Sequence, residues 1–359
     1  RKVLMQAPKN GFFYLIDRVN GEFLKAANFV DVNWAFGLDP ETGRPVENPD
    51  ARYDRTGKSF TVKPGSIGAH NWHPMSFSPK TGLVYIPVQY SEQRFEQSEA
   101  WRITEIGPQI GVDTADLAQS PFQAIDPTKA KGQGGLVAWD PVGQRKIWQF
   151  ERAFSGNGGT MVTGGNLVFQ GTIDGRFQAL SADVGKLLWD FNTHSKIIAS
   201  PVTYSIEGVQ YVAVLSGPSL WGILPNDKKV PQSRSPSRLL VFKLNSDVAL
   251  ENTVDQKNVI VDPPPYTGSK AQYLSGARLY GRYCAGCHGP GAVSSGTNPD
   301  LRFSGIKHHS ESFEAVVLGG VLASSGMVSF SSVLSQREAE SVRQYLIKRA
   351  NEDRSGKYD

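Results

Sequence analysis

Along residues 1 to about 243, apolar positions come in short runs broken by Gly, Pro, Asn and Asp. The runs at 11–15, 82–88, 136–139, 167–170, 210–215 and 238–244 are rich in Val, Ile, Phe and Tyr. Few stretches show the 3.6-residue period of an amphipathic helix. This pattern predicts short β-strands joined by tight polar turns.

The pattern changes after residue 244. Asn258-Val259-Ile260-Val261-Asp262-Pro263-Pro264-Pro265-Tyr266-Thr267-Gly268 reads as a tether stiffened by its prolines. Beyond it, Gly276, Tyr280 and Cys284 fall four apart, as on one helix face. Gly276 leaves room for a second helix to approach closely. Ser335-Gln336-Arg337-Glu338 is a capping box, and Val342, Tyr345 and Leu346 follow on one face. The expected division is a β-rich region at 1–244, a Pro-rich linker at 245–269 and a helical domain at 270–359.

A repeat runs through the β-rich region. Ala138-Trp139-Asp140-Pro141-Val142-Gly143-Gln144-Arg145-Lys146-Ile147-Trp148 aligns with Ala179-Leu180-Ser181-Ala182-Asp183-Val184-Gly185-Lys186-Leu187-Leu188-Trp189. Ala138 and Ala179 lie 41 residues apart, as do Trp148 and Trp189. A weaker copy passes through Leu15, Asp17, Asn20, Gly21 and Lys25. A strand–turn–strand unit repeating at about 40 residues is the signature of a propeller blade. The closing Trp of each copy is expected to pack between neighbouring blades.

Composition narrows the functional classes. At 359 residues, with 39% hydrophobic and 10% aromatic residues, the chain can bury a sizeable core. The net charge of +4 is dispersed, with no basic block of the kind that binds nucleic acid. No apolar run reaches the length of a membrane-spanning helix. The first residues, Arg1-Lys2-Val3-Leu4-Met5-Gln6-Ala7-Pro8, carry no signal peptide and read as a strand entering a turn. The expectation is a chain that begins inside a larger protein.

Both cysteines lie in Tyr283-Cys284-Ala285-Gly286-Cys287-His288-Gly289. Cys-x-x-Cys-His is the attachment signature of c-type haem. Two thiols add across the porphyrin vinyl groups, and the adjacent His288 becomes the proximal ligand of the iron. One helical turn lets all three meet one face of a rigid ring. Bacterial haem attachment of this kind takes place outside the cytoplasm, so the motif implies a periplasmic location.

Met327, in Ser325-Gly326-Met327-Val328-Ser329-Phe330, lies 39 residues after His288 and is the candidate sixth ligand. A thioether raises the haem potential, which suits iron that accepts electrons. His308 and His309 are the rival ligands. They sit in a charged segment, 307–311, and read as surface residues. A Met327→Ala variant with an unchanged haem spectrum would overturn the Met327 assignment. The crossed helices and the Met position resemble the class I cytochrome c fold.

The β-rich region carries a second resemblance. Pro8-Lys9-Asn10-Gly11-Phe12-Phe13-Tyr14-Leu15-Ile16-Asp17-Arg18, the loop Gly68-Ala69-His70-Asn71-Trp72-His73-Pro74-Met75, and the Ala…Gly…Trp repeats resemble the quinoprotein alcohol dehydrogenases. Those are eight-bladed β-propellers that hold pyrroloquinoline quinone (PQQ) beside a calcium ion. Their quinohaemoprotein subgroup carries a cytochrome c domain after the propeller, the order found here. The resemblance implies a mainly β fold, a partial eight-bladed propeller, followed by an all-α cytochrome domain.

The resemblance also assigns site residues. Lys9 corresponds to the basic residue near the quinone oxygens, where an ammonium stabilises charge that develops on oxygen. Asn71 and Trp72 correspond to residues touching the quinone, through an amide and an indole wall. His70 and His73 have H-x-x-H spacing, but no carboxylate or thiol accompanies them, so they read as structural or pocket-lining. The family's catalytic aspartate, its calcium ligands, the Trp that stacks on the quinone and its adjacent-cysteine disulfide all lie upstream of the Lys9 motif. The resemblance therefore makes this chain the C-terminal part of an enzyme, not active alone. Pro218 and Leu220 depart from the family's Gly- and Trp-rich loop, leaving open any contact from Trp221.

Two classes of function follow. In the first, an alcohol is oxidised with PQQ, and electrons pass to the haem and then to an external acceptor. That acceptor would be a soluble cytochrome, a copper protein or the membrane quinone pool. In the second, the haem domain is a carrier fused to a non-catalytic propeller scaffold. A variant of the first changes the substrate to an aldehyde, a sugar or a polymeric alcohol.

Overall fold

The structure is a computed structural model that describes residues 1–97, 106, 133–217, 237–251, 262–294 and 298–355. These fall into two compact units. Residues 1–97, 133–217 and 237–251 form one, and 106, 262–294 and 298–355 form the other.

The first unit is built of antiparallel sheets. Val3–Gln6, Phe12–Asp17 and Phe23–Asn28 form a three-stranded meander. Ser76–Ser78, Leu83–Gln89, Gly134–Asp140 and Arg145–Arg152 form a four-stranded one. Thr160–Val162, Leu167–Gly171, Arg176–Ser181 and Leu187–Asn192 form another. Val202–Ile206, Val209–Ser216 and Arg238–Lys243 complete the series.

The sequence repeat is a repeat of register. Ala138 faces Trp148, Ala179 faces Trp189 and Leu15 faces Lys25 across their respective hairpins. Each ladder then shifts by one residue immediately after that pair, at Ala138/Trp139, Ala179/Leu180 and Leu15/Ile16. The same bulge therefore recurs three times and re-aims the same position of each hairpin.

The closing residue of each copy reaches the next sheet. Trp148 Nε1 donates to the Ala182 carbonyl at 3.0 Å, and its ring lies against Gly185. Trp189 packs edge-on to Phe242 with centroids 5.3 Å apart. In the weaker copy, Lys25 Nζ donates to the Val142 carbonyl at 3.1 Å. The apolar clusters also bridge sheets. Tyr85 and Leu136 of one pack with Val168 and Leu180 of the next.

The second unit is helical. A leading helix, Lys270–Tyr283, starts where Ser269 Oγ accepts from Gln272 N at 3.1 Å. It crosses a closing helix, Gln336–Ser355, whose buried face includes Val342, Tyr345 and Leu346. Gly276 sits at the crossing, where a Cβ would lie 1.9 Å from the Ser341 carbonyl oxygen. The closing helix begins with the expected capping box. Ser335 N and Oγ donate to Glu338 Oε2 at 2.8 and 2.7 Å.

Candidate redox sites

The haem motif follows the leading helix as one further turn, Ala285–His288. Cys284 is buried and Cys287 exposed, and both are free thiols. Burial, and then the neighbouring Cys287, push the Cys284 thiol up to about 12. His288 is buried, and its Nδ1 lies 2.8 Å from the Pro299 carbonyl. A carbonyl only accepts, so Nδ1 carries the proton and Nε2 is left basic, the form that ligates iron. The loop is held on both sides. Tyr280 Oη donates to the Gly289 carbonyl at 2.7 Å, and Asn298 Nδ2 donates to the Cys287 carbonyl at 2.9 Å.

Met327 is half-buried and packs against the core that contains Cys284, Ala285 and Phe330. Its amide donates to the Leu322 carbonyl at 3.2 Å, after a left-handed turn at Gly326. Two thiols free of any disulfide, an imidazole with a basic Nε2, and a thioether against the same core are the donor set of a haem c. The residues present fit that group.

His309 is exposed, as expected, but His308 is not a plain surface residue. Its Nε2 is buried without a hydrogen-bond partner among the described residues. Burial, then Lys307 and His309, hold its pKa below the ordinary range. A tight turn, Gly305–His308, takes the start of the charged segment inward. Lys307 goes with it, fully buried, its Nζ donating to the Ser304 carbonyl at 2.6 Å. The run of charges at 307–311 concealed this turn.

The second cluster lies in the sheet unit. Lys9 Nζ donates to the Ser66 carbonyl at 3.4 Å, and Asn71 Nδ2 to the adjacent Ile67 carbonyl at 3.0 Å. The Ala69 amide donates to the Lys9 carbonyl at 3.0 Å, which pins the two segments together. Gly68 permits this approach. Its φ is +83°, and a Cβ there would lie 2.5 Å from Lys9 Cγ. Trp72 is 49% exposed and stacks on His73 with centroids 4.2 Å apart.

The histidines of this loop face inward. The buried His70 ring contacts the carbonyls of Ala7 and, at 2.7 Å, His73. Burial, then His70, push the His73 pKa down to about 4. Among the described residues no group of three or more His, Cys, Asp or Glu side chains could hold a metal ion. The Lys9 ammonium and the Asn71 amide thus reach adjacent carbonyls, at Ser66 and Ile67, while the exposed Trp72 indole lies on His73. All three are donors suited to one edge of a planar, anionic quinone. Trp221 lies outside the described residues.

Sequence reasoning did not single out Pro299. Asn298-Pro299-Asp300 signals a turn, but not that its carbonyl faces the imidazole.

Comparison with known proteins finds relatives of both units. The family described as "Glucose/ethanol/alcohol dehydrogenase, beta-propeller domain" matches residues 127–212. "Cytochrome C oxidase, cbb3-type, subunit III" matches residues 271–346. The quinohemoprotein alcohol dehydrogenase ADH IIB of Pseudomonas putida is 41% identical over 98% of this chain and 50% of its own length. The 1-butanol dehydrogenase (cytochrome c) of Thauera butanivorans is 36% identical over 97% of this chain and 49% of its own. Among solved structures, ADHIIG of Pseudomonas putida HK5 superposes with TM-score 0.82 and 37% identity, covering 99% of this chain and 52% of that one. The quinohemoprotein alcohol dehydrogenase of Comamonas testosteroni gives 0.73 and 32%, covering 98% and 51%. The chain spans about half the length of the curated relatives it matches. Over that span, the order of sheet and helical units and the matches to both family descriptions make the chain similar to the quinohaemoprotein alcohol dehydrogenases.

Proposed function

We propose that this chain is the electron-exit part of a periplasmic PQQ-dependent alcohol dehydrogenase. Its sheets are read as blades of an eight-bladed propeller. PQQ, when bound, supplies a carbonyl carbon that takes a hydride from the alcohol carbon, so that an alcohol becomes an aldehyde or ketone. Lys9 holds an ammonium beside the quinone oxygens, Asn71 supplies an amide, and Trp72 walls the pocket. The chemistry also calls for a calcium ion and a general base, assigned here to the part of the protein outside this chain. His288 and Met327 hold an iron that takes electrons singly, which matches a two-electron donor to a one-electron exit. The external acceptor is a soluble cytochrome, a copper protein or the membrane quinone pool.

The observation that carries this reading is one chain with two sites. A Cys-x-x-Cys-His motif with Met327 against the same core lies in the helical unit, and Lys9, Asn71 and Trp72 lie in two loops of the sheet unit. A scaffold fused to an electron carrier has no use for those three residues. Reconstitution of the whole protein with PQQ and calcium tests the proposal. Haem reduction should follow addition of a primary alcohol and vanish when PQQ is omitted. Haem that stays oxidised with a range of alcohols would return the chain to the carrier reading. Reduction only by aldehydes, sugars or polymeric alcohols would keep the chemistry and change the substrate.

A further inference from the structure

The loop after the haem motif is held at both ends by the last turns of the closing helix. At its start, Arg349 Nε donates to the Gly291 carbonyl at 3.0 Å, and Arg349 Nη1 pairs with Glu352 at 2.6 Å. At its end, Asp300 receives a two-pronged bond from Arg302, with Nε–Oδ1 at 3.0 Å and Nη2–Oδ2 at 2.7 Å. The remaining arm of the guanidinium, Arg302 Nη1, meets Asp353 Oδ1 at 3.0 Å. Arg349, Glu352 and Asp353 share one helix face through their spacing of three and four.

This Asp300–Arg302–Asp353 chain is buried at its centre. Asp300 is 8% exposed and Arg302 9%. Asp300 also accepts from the amides of Ser294 and Arg302, each at 3.1 Å. Its position is therefore fixed by backbone and guanidinium alike, in charge-assisted bonds of well-defined direction. The residue before it is Pro299, whose carbonyl lies 2.8 Å from His288 Nδ1.

We propose that Asp300, Arg302 and Asp353 form a positioning unit for the axial histidine. Through them the closing helix sets the Pro299 carbonyl and hence the donor strength of His288. The proposal rests on the haem reading above. A carbonyl held firmly on Nδ1–H makes Nε2 a stronger donor, favours ferric iron and lowers the haem potential. Loosening that carbonyl moves the potential upward. A staple that serves stability alone would leave it where it is.

The test uses the full chain carrying its haem. In the wild type, the His288 ring proton should exchange slowly with solvent by NMR; rapid exchange there overturns the proposal. Asp353→Asn should shift the haem midpoint potential positively and speed that exchange, and Asp353→Glu should restore both towards wild type. Ser335→Ala, at the far end of the same helix, should lower stability without moving the potential. An Asp353→Asn protein with wild-type potential and exchange refutes the positioning role. If that variant does not accumulate, Arg302→Lys decides by the same two readouts, because an ammonium cannot bridge both carboxylates in the same fork. A wild-type chain that matures without thioether-bound haem sinks the haem reading itself, an outcome separate from these.

Discussion

The two redox sites are built by opposite means. Of the residues proposed to hold the haem, Cys284, Cys287 and His288 come from one short stretch, and Met327, 39 residues on, packs against the same small core. The residues proposed to face the quinone come from two segments, positions 9 and 66–72, joined by the Ala69 amide to the Lys9 carbonyl and by Lys9 Nζ to the Ser66 carbonyl. A covalently attached cofactor lets one motif carry the chemistry. A cofactor held without covalent bonds must collect donors from wherever strands end. The first kind of site can be complete in a fragment, and the second kind is shared with the rest of the protein.

The largest effect that would separate the two concerns Lys9. In the whole protein with PQQ, Lys9→Ala should lower turnover about 100- to 1,000-fold, the scale for removing one group that stabilises developing oxyanion charge. The haem spectrum should not change. Steady-state kinetics read the first outcome and visible absorbance the second. Turnover within twofold of wild type would reduce Lys9 to a loop lysine bonded to Ser66.

Stability can break the comparison too. At Gly276 a side chain would collide with the Ser341 carbonyl, which is backbone and cannot yield. Gly276→Val should cost about 3 kcal/mol or more and fall on the helical unit alone. Haem absorbance during melting reports the helical unit, and the β signal of far-UV circular dichroism reports the sheets. Gly185→Ala should do the reverse at a smaller cost, about 1–2 kcal/mol. Its φ is +70°, and a Cβ would lie 2.6 Å from the Trp148 ring. A single transition lowered equally by both substitutions would show that the units unfold as one.

These cases also show what can be read from the chain. The 41-residue period was legible because Ala138–Trp148 and Ala179–Trp189 are equivalent cross-strand pairs of two hairpins. The copy ending in Lys25 was harder to see, since an ammonium replaces the indole. It nevertheless makes the same kind of bond to the next sheet, at Val142 instead of Ala182. The haem motif and the capping box were legible because their spacing is their chemistry. His308 was not, because a run of charge around it looks solvated until the turn at Gly305–His308 is known. Pro299 was hidden for a related reason. It acts through its carbonyl, a group every residue possesses.

The smallest expected effect lies at the start of the closing helix and depends on pH. Ser335→Ala should cost about 1 kcal/mol at neutral pH, the usual scale for a lost N-cap. The Ser335 amide first, and then its hydroxyl, hold the Glu338 pKa below the ordinary carboxylate range. A folded-state pKa below the unfolded one gives stability that is complete above the unfolded value, about 4.3 for Glu. That stability fades as pH falls through the lower, folded value. The hydroxyl bond to a carboxylate at 2.7 Å loses its charged partner over the same range. The stability gap between wild type and Ser335→Ala should therefore narrow from pH 7 to pH 3, while in a Glu338→Gln background it should stay flat. Thermal melts followed by far-UV circular dichroism would read both. A gap that does not change with pH would mean that the hydroxyl acts through the Glu338 amide alone, and that its own bond to the carboxylate adds nothing to the helix.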